Sequence, residues 1–163
     1  MRRTIAAIAE IWALLAGGIL LSIVAVTTVN VGAFSADRVA RGWGGSVGGL
    51  PGYEDFVRLA VSCAVLMLLP YCQLRRGHIA VDLLAGRLPA RLRLGLERAW
   101  GLGIAALALA LAWGMVFGML EAREDGALSR VLGWPEWPFY APGIASLLLW
   151  ALVALSQGTQ AGE

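Results

Sequence analysis

The sequence predicts an all-α integral membrane protein, a single domain of residues 1–163 with four transmembrane helices. Hydrophobic residues make up 59% of the chain and charged residues only 15%, against roughly 45–50% and about 25% in soluble domains. Mean hydropathy is correspondingly high, at +0.73. The few charged residues lie outside four long uncharged stretches, at 11–36, 59–74, 99–120 and 137–162. Most of them are long enough to cross a hydrocarbon core of about 30 Å.

Each stretch predicts one helix. The first predicts a helix at about 11–33. Arg2 and Arg3 precede it as in a signal peptide, but the stretch is too long for one and no small-residue cleavage site closes it. The second is short and predicts a helix at 56–74 if Arg58 is included, with Glu54 one turn earlier as its partner. The third and fourth predict helices at 99–120 and 138–156.

The arginines predict the topology. Eight of them fall at the termini and in the segment 75–98, whereas four fall in the connections 34–55 and 121–137. Cytoplasmic loops carry the excess of basic residues. We therefore expect both termini and the loop 75–98 to be cytoplasmic and the two other loops to be periplasmic. The positions that mark the cytoplasmic boundary are Arg75, Arg76, Arg87 and Arg91.

The loop between the second and third helices has its own pattern. Leucines recur every fourth residue from Leu84 to Leu96, and arginines occupy another face. This predicts a short amphipathic cytoplasmic segment, interrupted near Gly86 and Pro89, that lies on the anionic membrane surface. The same pattern also fits simple extensions of the second and third helices into the cytoplasm.

The third stretch carries a small residue at every fourth position. Such a stripe lets two helices approach closely in lipid, and it predicts a packing face. Its members are Ala106, Ala110, Gly114 and Gly118.

The chain has few of the residues that metal, haem, phosphate-binding and hydrolase sites require. His78 is the sole histidine, and Cys63 and Cys72 are the only cysteines, which disfavours zinc clusters and paired-histidine haem sites. Phosphate-binding and hydrolase motifs are missing. The sequence predicts no enzyme, no cofactor and no nucleic-acid partner.

Asp, Glu, Lys, Arg and His are also missing from the middle of the four stretches, where a solitary transporter usually keeps an ionisable or coordinating group. Glu10 comes nearest. The chain therefore reads as a scaffold or partner subunit. Two alternatives stay open: a self-sufficient four-helix exporter of small cations that uses Glu10, and a structural subunit of another membrane complex.

Three motifs then occur in order. An acidic pair opens the second helix, R-R-G-H-I-A-V-D-L-L follows it at 75–84, and L-G-W-P-E-W-P-F-Y precedes the fourth helix at 132–140. In combination they resemble the small membrane subunit of tripartite ATP-independent periplasmic (TRAP) transporters, the DctQ-like family, from about residue 11 to 156. The motif positions are Glu54, Asp55, Gly77, His78, Val81, Asp82, Leu132, Gly133, Pro135, Trp137 and Tyr140.

The resemblance implies a four-helix protein of the bacterial inner membrane without catalytic residues. Its expected partners are membrane lipid, a large permease subunit that holds the substrate and sodium sites, and a periplasmic binding protein that delivers an organic acid. The sequence departs from the family in its glycine-rich first outer loop. Asn30 is followed by Ala33 and Phe34, where many relatives carry a basic residue.

Overall fold

The protein is described by a computed structural model that covers residues 2–75 and 89–158. Four helices follow one another: α1 (Arg2–Arg41), α2 (Tyr53–Leu74), α3 (Ala90–Glu124) and α4 (Tyr140–Gly158), with a 3₁₀ turn at Trp137–Phe139. Each of the four is long and apolar enough to cross a membrane. The described ranges contain no strand, only an isolated bridge between Leu128 and Pro135. The prediction of an all-α chain with four membrane-spanning helices is confirmed.

Two helices are longer than their predicted membrane spans. α1 continues beyond residue 33 to Arg41, because residues 34–41 contain no glycine or proline and Arg41 pairs with Asp37 one turn earlier, at 2.8 Å. Gly42 is the first glycine or proline after Gly32, and the helix ends just before it. α3 begins at Ala90, so residues 90–98 form its first turns. The rest of the predicted amphipathic segment lies outside the described residues.

The helices pack side by side in the order α1, α2, α4, α3. The connections 42–52 and 125–139 lie at one end, which we call the loop end. The described start of α1 and the end of α4 lie at the other, the termini end. α1 and α3 form the two edges of this row, so each leaves large apolar side chains exposed.

Small residues bring α3 and α4 together. The main buried cluster combines Ala105, Ala108 and Ala112 of α3 with Leu147 and Trp150 of α4. In lipid no hydrophobic effect drives helices together, so close packing of small residues supplies much of the attraction.

α1 is held along a narrow seam. Its fully buried residues are Ala9, Ala16 and Asn30, which recur at multiples of seven and therefore lie on one face. In the first third of α1 the Trp12 indole N–H donates to the Ser146 hydroxyl of α4 at 2.8 Å. Other faces of α1 carry large exposed side chains, among them Leu14, Leu21 and Val24.

Polar side chains close the row at the termini end. The Gln157 amide of α4 donates to the final carbonyls of α2, at Gln73 (2.9 Å) and Leu74 (3.2 Å). Nearby, Arg75 lies over the Tyr71 ring and donates to its hydroxyl at 3.0 Å. The Tyr71 hydroxyl and, more weakly, the Glu10 carboxylate hold the pKa of Arg75 above its usual range.

Candidate functional site: the junction of α2 with the loop before α4

The start of α2 meets the loop that precedes α4. We call this contact the junction; it joins Gly52, Asp55 and Arg58 to residues 127–136. The Asp55 carboxylate is 5% exposed. Its Oδ2 accepts hydrogen bonds from the backbone N–H groups of Val131 at 2.7 Å and Leu132 at 3.0 Å. One carboxylate oxygen thus fixes two backbone donors.

Residues 127–136 form a compact hairpin loop. The Glu136 N–H donates to the Ala127 carbonyl at 3.0 Å, and the Ser129 N–H donates to the Trp134 carbonyl at 2.8 Å. The Ser129 hydroxyl accepts from the Trp134 N–H at 3.1 Å. Gly133 turns the chain at φ +64°, a left-handed conformation that glycine adopts without strain. The hairpin loop is therefore ordered by its own hydrogen bonds as well as by Asp55.

An ion pair ties the far side of the hairpin loop to α2. Arg58 pairs with Glu136, rather than with Glu54, the partner expected from its i,i+4 spacing. Glu54 is exposed and accepts a hydrogen bond from the neighbouring Tyr53 hydroxyl. Sequence spacing favours local partners, whereas the fold brings Glu136 across from 78 positions away.

Aromatic side chains beside the hairpin loop add to the junction. Arg123 lies over the Trp137 ring, 5.5 Å from its centroid, and the Trp134 and Phe139 rings stack at 6.3 Å. Tyr140 covers Gly118, whose added Cβ would lie 3.2 Å from the ring. The junction is a rigid connector of α2, α3 and α4, with no reactive group poised for chemistry among these residues.

The structure brings two of the three sequence motifs together. Asp55 of the first motif holds Leu132 of the third, and Pro135, Trp137 and Tyr140 follow in the same connection. The second motif, with Gly77, His78, Val81 and Asp82, lies outside the described residues, as do Arg76 and Arg87. Sequence reasoning missed Ser129 and the Arg58–Glu136 pair.

The predicted small-residue stripe lies on a different face of α3 from the one that packs on α4. Ala106, Ala110 and Gly114 are exposed, whereas Ala105, Ala108 and Ala112 are buried. Gly118 alone contacts its own chain, through Tyr140. That this stripe packs against a helix stays a prediction. Because α4 covers a different face of α3, the helix that would pack on the stripe belongs to another chain.

Within the described ranges no three side chains of His, Cys, Asp or Glu come together as a metal site. Glu10 lies exposed on α1, eight residues after the helix begins. The two cysteines are free thiols, with Cys63 buried and its Sγ donating to the Phe139 carbonyl at 3.3 Å.

Four membrane-spanning helices joined at the junction define a multi-pass membrane protein. Residues 46–161 match the family described as tripartite ATP-independent periplasmic transporters, DctQ component. The chain belongs to this family, the small membrane component of TRAP transporters, and is a transporter component rather than an enzyme. The match takes in α2, α3, α4 and the junction and begins after α1. No curated protein and no solved structure matches the chain.

Proposed function

We propose that this chain is the scaffolding subunit of a TRAP-type secondary transporter in the bacterial inner membrane. It braces a large permease subunit, which carries the sodium and substrate sites, for uptake of an organic acid delivered by a periplasmic binding protein. The termini end faces the cytoplasm and the loop end faces the periplasm, as the arginine distribution supports. No cofactor of its own is required.

The uncharged interior of all four helices carries this proposal. Between the charged residues that bound each stretch, the chain offers no Asp, Glu, Lys, Arg or His for coupling ions to transport. The same helices leave apolar faces exposed at both edges of the row. A subunit without a coupling site and with an uncovered small-residue stripe fits assembly rather than solute movement.

Reconstitution tests this directly. The protein alone in proteoliposomes is expected to move no organic acid under a sodium gradient, whereas vesicles that also hold the permease subunit and the binding protein show uptake. Transport by the chain alone would refute the proposal, and so would its failure to co-purify with a large multi-spanning permease after crosslinking in native membranes. A Glu10→Gln variant that abolished transport by the isolated chain would favour the exporter.

The α3 stripe gives a second test. Leucine at Gly114 meets nothing within 4 Å of its Cβ in the chain itself, so Gly114→Leu is expected to leave folding intact. It blocks close approach of a partner helix, and we expect at least a several-fold lower yield of the co-purified complex.

Two variants serve as controls for Gly114→Leu. Ala108→Leu enlarges a fully buried residue between α3 and α4 and is expected to lower the yield of the folded chain itself. Leu109→Ala alters an exposed position outside the stripe and leaves both yields unchanged. An unaltered complex yield with Gly114→Leu would remove the stripe from the partner interface.

A further inference from the structure

The outer face of α1 repeats every seven residues. Nine of its positions follow one another at alternating steps of three and four residues, which is the a/d spacing of a coiled coil. All nine are exposed and none is charged: Ile11, Leu14, Gly18, Leu21, Ala25, Thr28, Gly32, Ser35 and Val39. We call this set the α1 seam. It lies opposite the buried Ala9, Ala16 and Asn30, because a shift of two residues turns an α-helix by about 200°.

The seam leaves room for a second helix. Gly18, Ala25 and Gly32 occupy successive a positions, and a Cβ added at either glycine would meet nothing within 4 Å. Small residues at an interface let two helices approach closely in lipid. A strict seven-residue repeat keeps the same face of a helix against its partner over many turns. The spacing therefore favours one long partner helix that follows α1 along its length.

Contacts between helices show where the seam leaves the bilayer. Arg58 of α2 pairs with Glu136, and we take this pair as the loop-end boundary of the hydrocarbon. Asn30 Oδ1 accepts from the Leu50 N–H at 2.9 Å. Because Leu50 comes eight residues before Arg58 and the two helices run in opposite directions, this boundary meets α1 at about residue 22.

A second contact gives the same level. The Trp12 indole bonds Ser146, and Gly143, three residues earlier on α4, faces Leu66 of α2. Trp12 therefore lies near the height of residue 69, about 11 residues from Arg58 toward the termini end. Counted from there, the boundary meets α1 at about residue 23.

A long uncharged part of α1 thus projects beyond the boundary. Residues 23–36 contain no charged side chain and rise about 21 Å, whereas the headgroup region of one leaflet is only about 5–8 Å thick. Val29 and Val31, which flank the seam in this part, are exposed at 58% and 57%. Lipid does not reach most of this length, and an extended apolar surface outside lipid marks a contact with protein.

We propose that a second copy of this chain covers the α1 seam, with the two α1 helices parallel and related by a two-fold axis along the membrane normal. Copies in one membrane share one orientation, so such an axis pairs each seam position with itself at equal height. The projecting part of each α1 then meets an equally long uncharged part of its partner. This inference goes beyond the proposed function and does not depend on it.

The area and charge of the seam fit such a pair. From Ile11 to Val39 the helix rises about 42 Å, and a third of its accessible circumference is about 14 Å wide, which gives roughly 600 Å² from each copy. The total of about 1,200 Å² reaches the size of specific protein interfaces. The nearest charged residues, Glu10 and Arg38, flank the seam at its two ends and do not enter it.

The α3 stripe does not compete for this partner. α1 and α3 are the two edges of the row, about 27 Å apart at three helix-to-helix steps of about 9 Å. Their exposed faces point in opposite directions. A chain packed on the α3 stripe therefore leaves the α1 seam open to a second copy.

Disulfide crosslinking in native membranes tests the pair. The full chain, with Cys63→Ala and Cys72→Ala, receives one new cysteine at a time and is oxidised with copper phenanthroline. Leu21→Cys and Thr28→Cys lie in the seam, on the two sides of the boundary. Their matched controls, Leu20→Cys and Thr27→Cys, replace the same residue types one position earlier, about 100° around the helix. Val65→Cys, at a site 53% exposed on α2, gives the rate of chance collisions.

We expect Leu21→Cys and Thr28→Cys to form covalent dimers several-fold faster than their controls and than Val65→Cys. Adding Gly32→Leu, which meets nothing in its own chain, is expected to slow crosslinking through Thr28→Cys several-fold.

Three results would overturn the proposal. The first is an equal rate within both matched pairs or no dimer at either seam position. The second is crosslinking through Leu21→Cys alone, which would leave the projecting part of α1 without its copy. The third is capture of a different protein, rather than a second copy, by a photoreactive maleimide attached at Thr28→Cys.

Discussion

Replacing Asp55 by alanine is expected to cost the protein about 3 kcal/mol of unfolding free energy or more, since a hydrogen bond to a charged group contributes about 1.5–3 kcal/mol. The carboxylate accepts from two backbone donors of the hairpin loop. Its removal leaves the N–H groups of Val131 and Leu132 without their acceptor at a half-covered site. Steric trapping of the folded chain in bicelles measures the free energy.

The neighbouring carboxylate is the matched control for Asp55→Ala. Glu54 is exposed and bonds only the adjacent Tyr53, so Glu54→Ala is expected to change stability by less than about 0.5 kcal/mol. Asp55→Asn keeps one acceptor oxygen without the charge and should fall between the two. Equal stabilities of the Asp55→Ala and Glu54→Ala variants would show that Asp55 does not hold the hairpin loop.

The two variants should also differ in protease sensitivity. Arg130 is already exposed, but a hairpin loop released from Asp55 opens more readily around it. Trypsin is therefore expected to cut Asp55→Ala faster within residues 127–136 under native conditions. The family match contains both the carboxylate and the hairpin loop. We therefore expect the loss of the junction to lower the yield of the assembled transporter too.

Hydropathy predicted the helices well, because a span in lipid must satisfy its backbone hydrogen bonds internally and be apolar along its length. Hydropathy did not predict where the helices end outside the membrane. α1 runs on to Arg41 since ordinary helix formers and the Asp37–Arg41 pair continue past the predicted span. Length beyond the bilayer is set by local residues rather than by the membrane.

The partners of individual side chains were harder to predict. Arg58 has an acidic residue one turn away, yet the fold supplies Glu136. The stripe of Ala106, Ala110 and Gly114 differs from the buried stripe of Ala105, Ala108 and Ala112 by only one or two residues at each position, which places the two stripes on roughly opposite sides of the helix. In an alanine-rich helix the sequence offers two such faces, and only the position of α4 decides which one is covered internally.

The glycine before α2 shows how tightly the junction is packed. Gly52 has φ +77°, and a Cβ added to it would lie 2.5 Å from both Cγ and Cδ2 of Leu132. Leu132 cannot simply withdraw, because its N–H is bound to Asp55. Gly52→Ala therefore combines backbone strain of about 1–2 kcal/mol with overpacking of about 1–3 kcal/mol.

Gly44 separates these two costs. It has the same φ of +77°, but nothing lies within 4 Å of an added Cβ, so Gly44→Ala is expected to lose only the strain of about 1–2 kcal/mol. Gly52→Ala should lose about 2–5 kcal/mol in the same steric-trapping measurement. If the two variants are equally stable, Leu132 does not press on Gly52.

A double-mutant cycle then identifies the neighbour. Leu132→Ala removes the side chain that the new methyl group would meet, so in that background the extra cost of Gly52→Ala over Gly44→Ala should disappear. Because the two residues are in contact, the cycle is expected to show a coupling of about 1–3 kcal/mol. Additive losses would instead mean that Gly52 acts through its backbone conformation alone, and that Asp55 by itself positions the hairpin loop against α2.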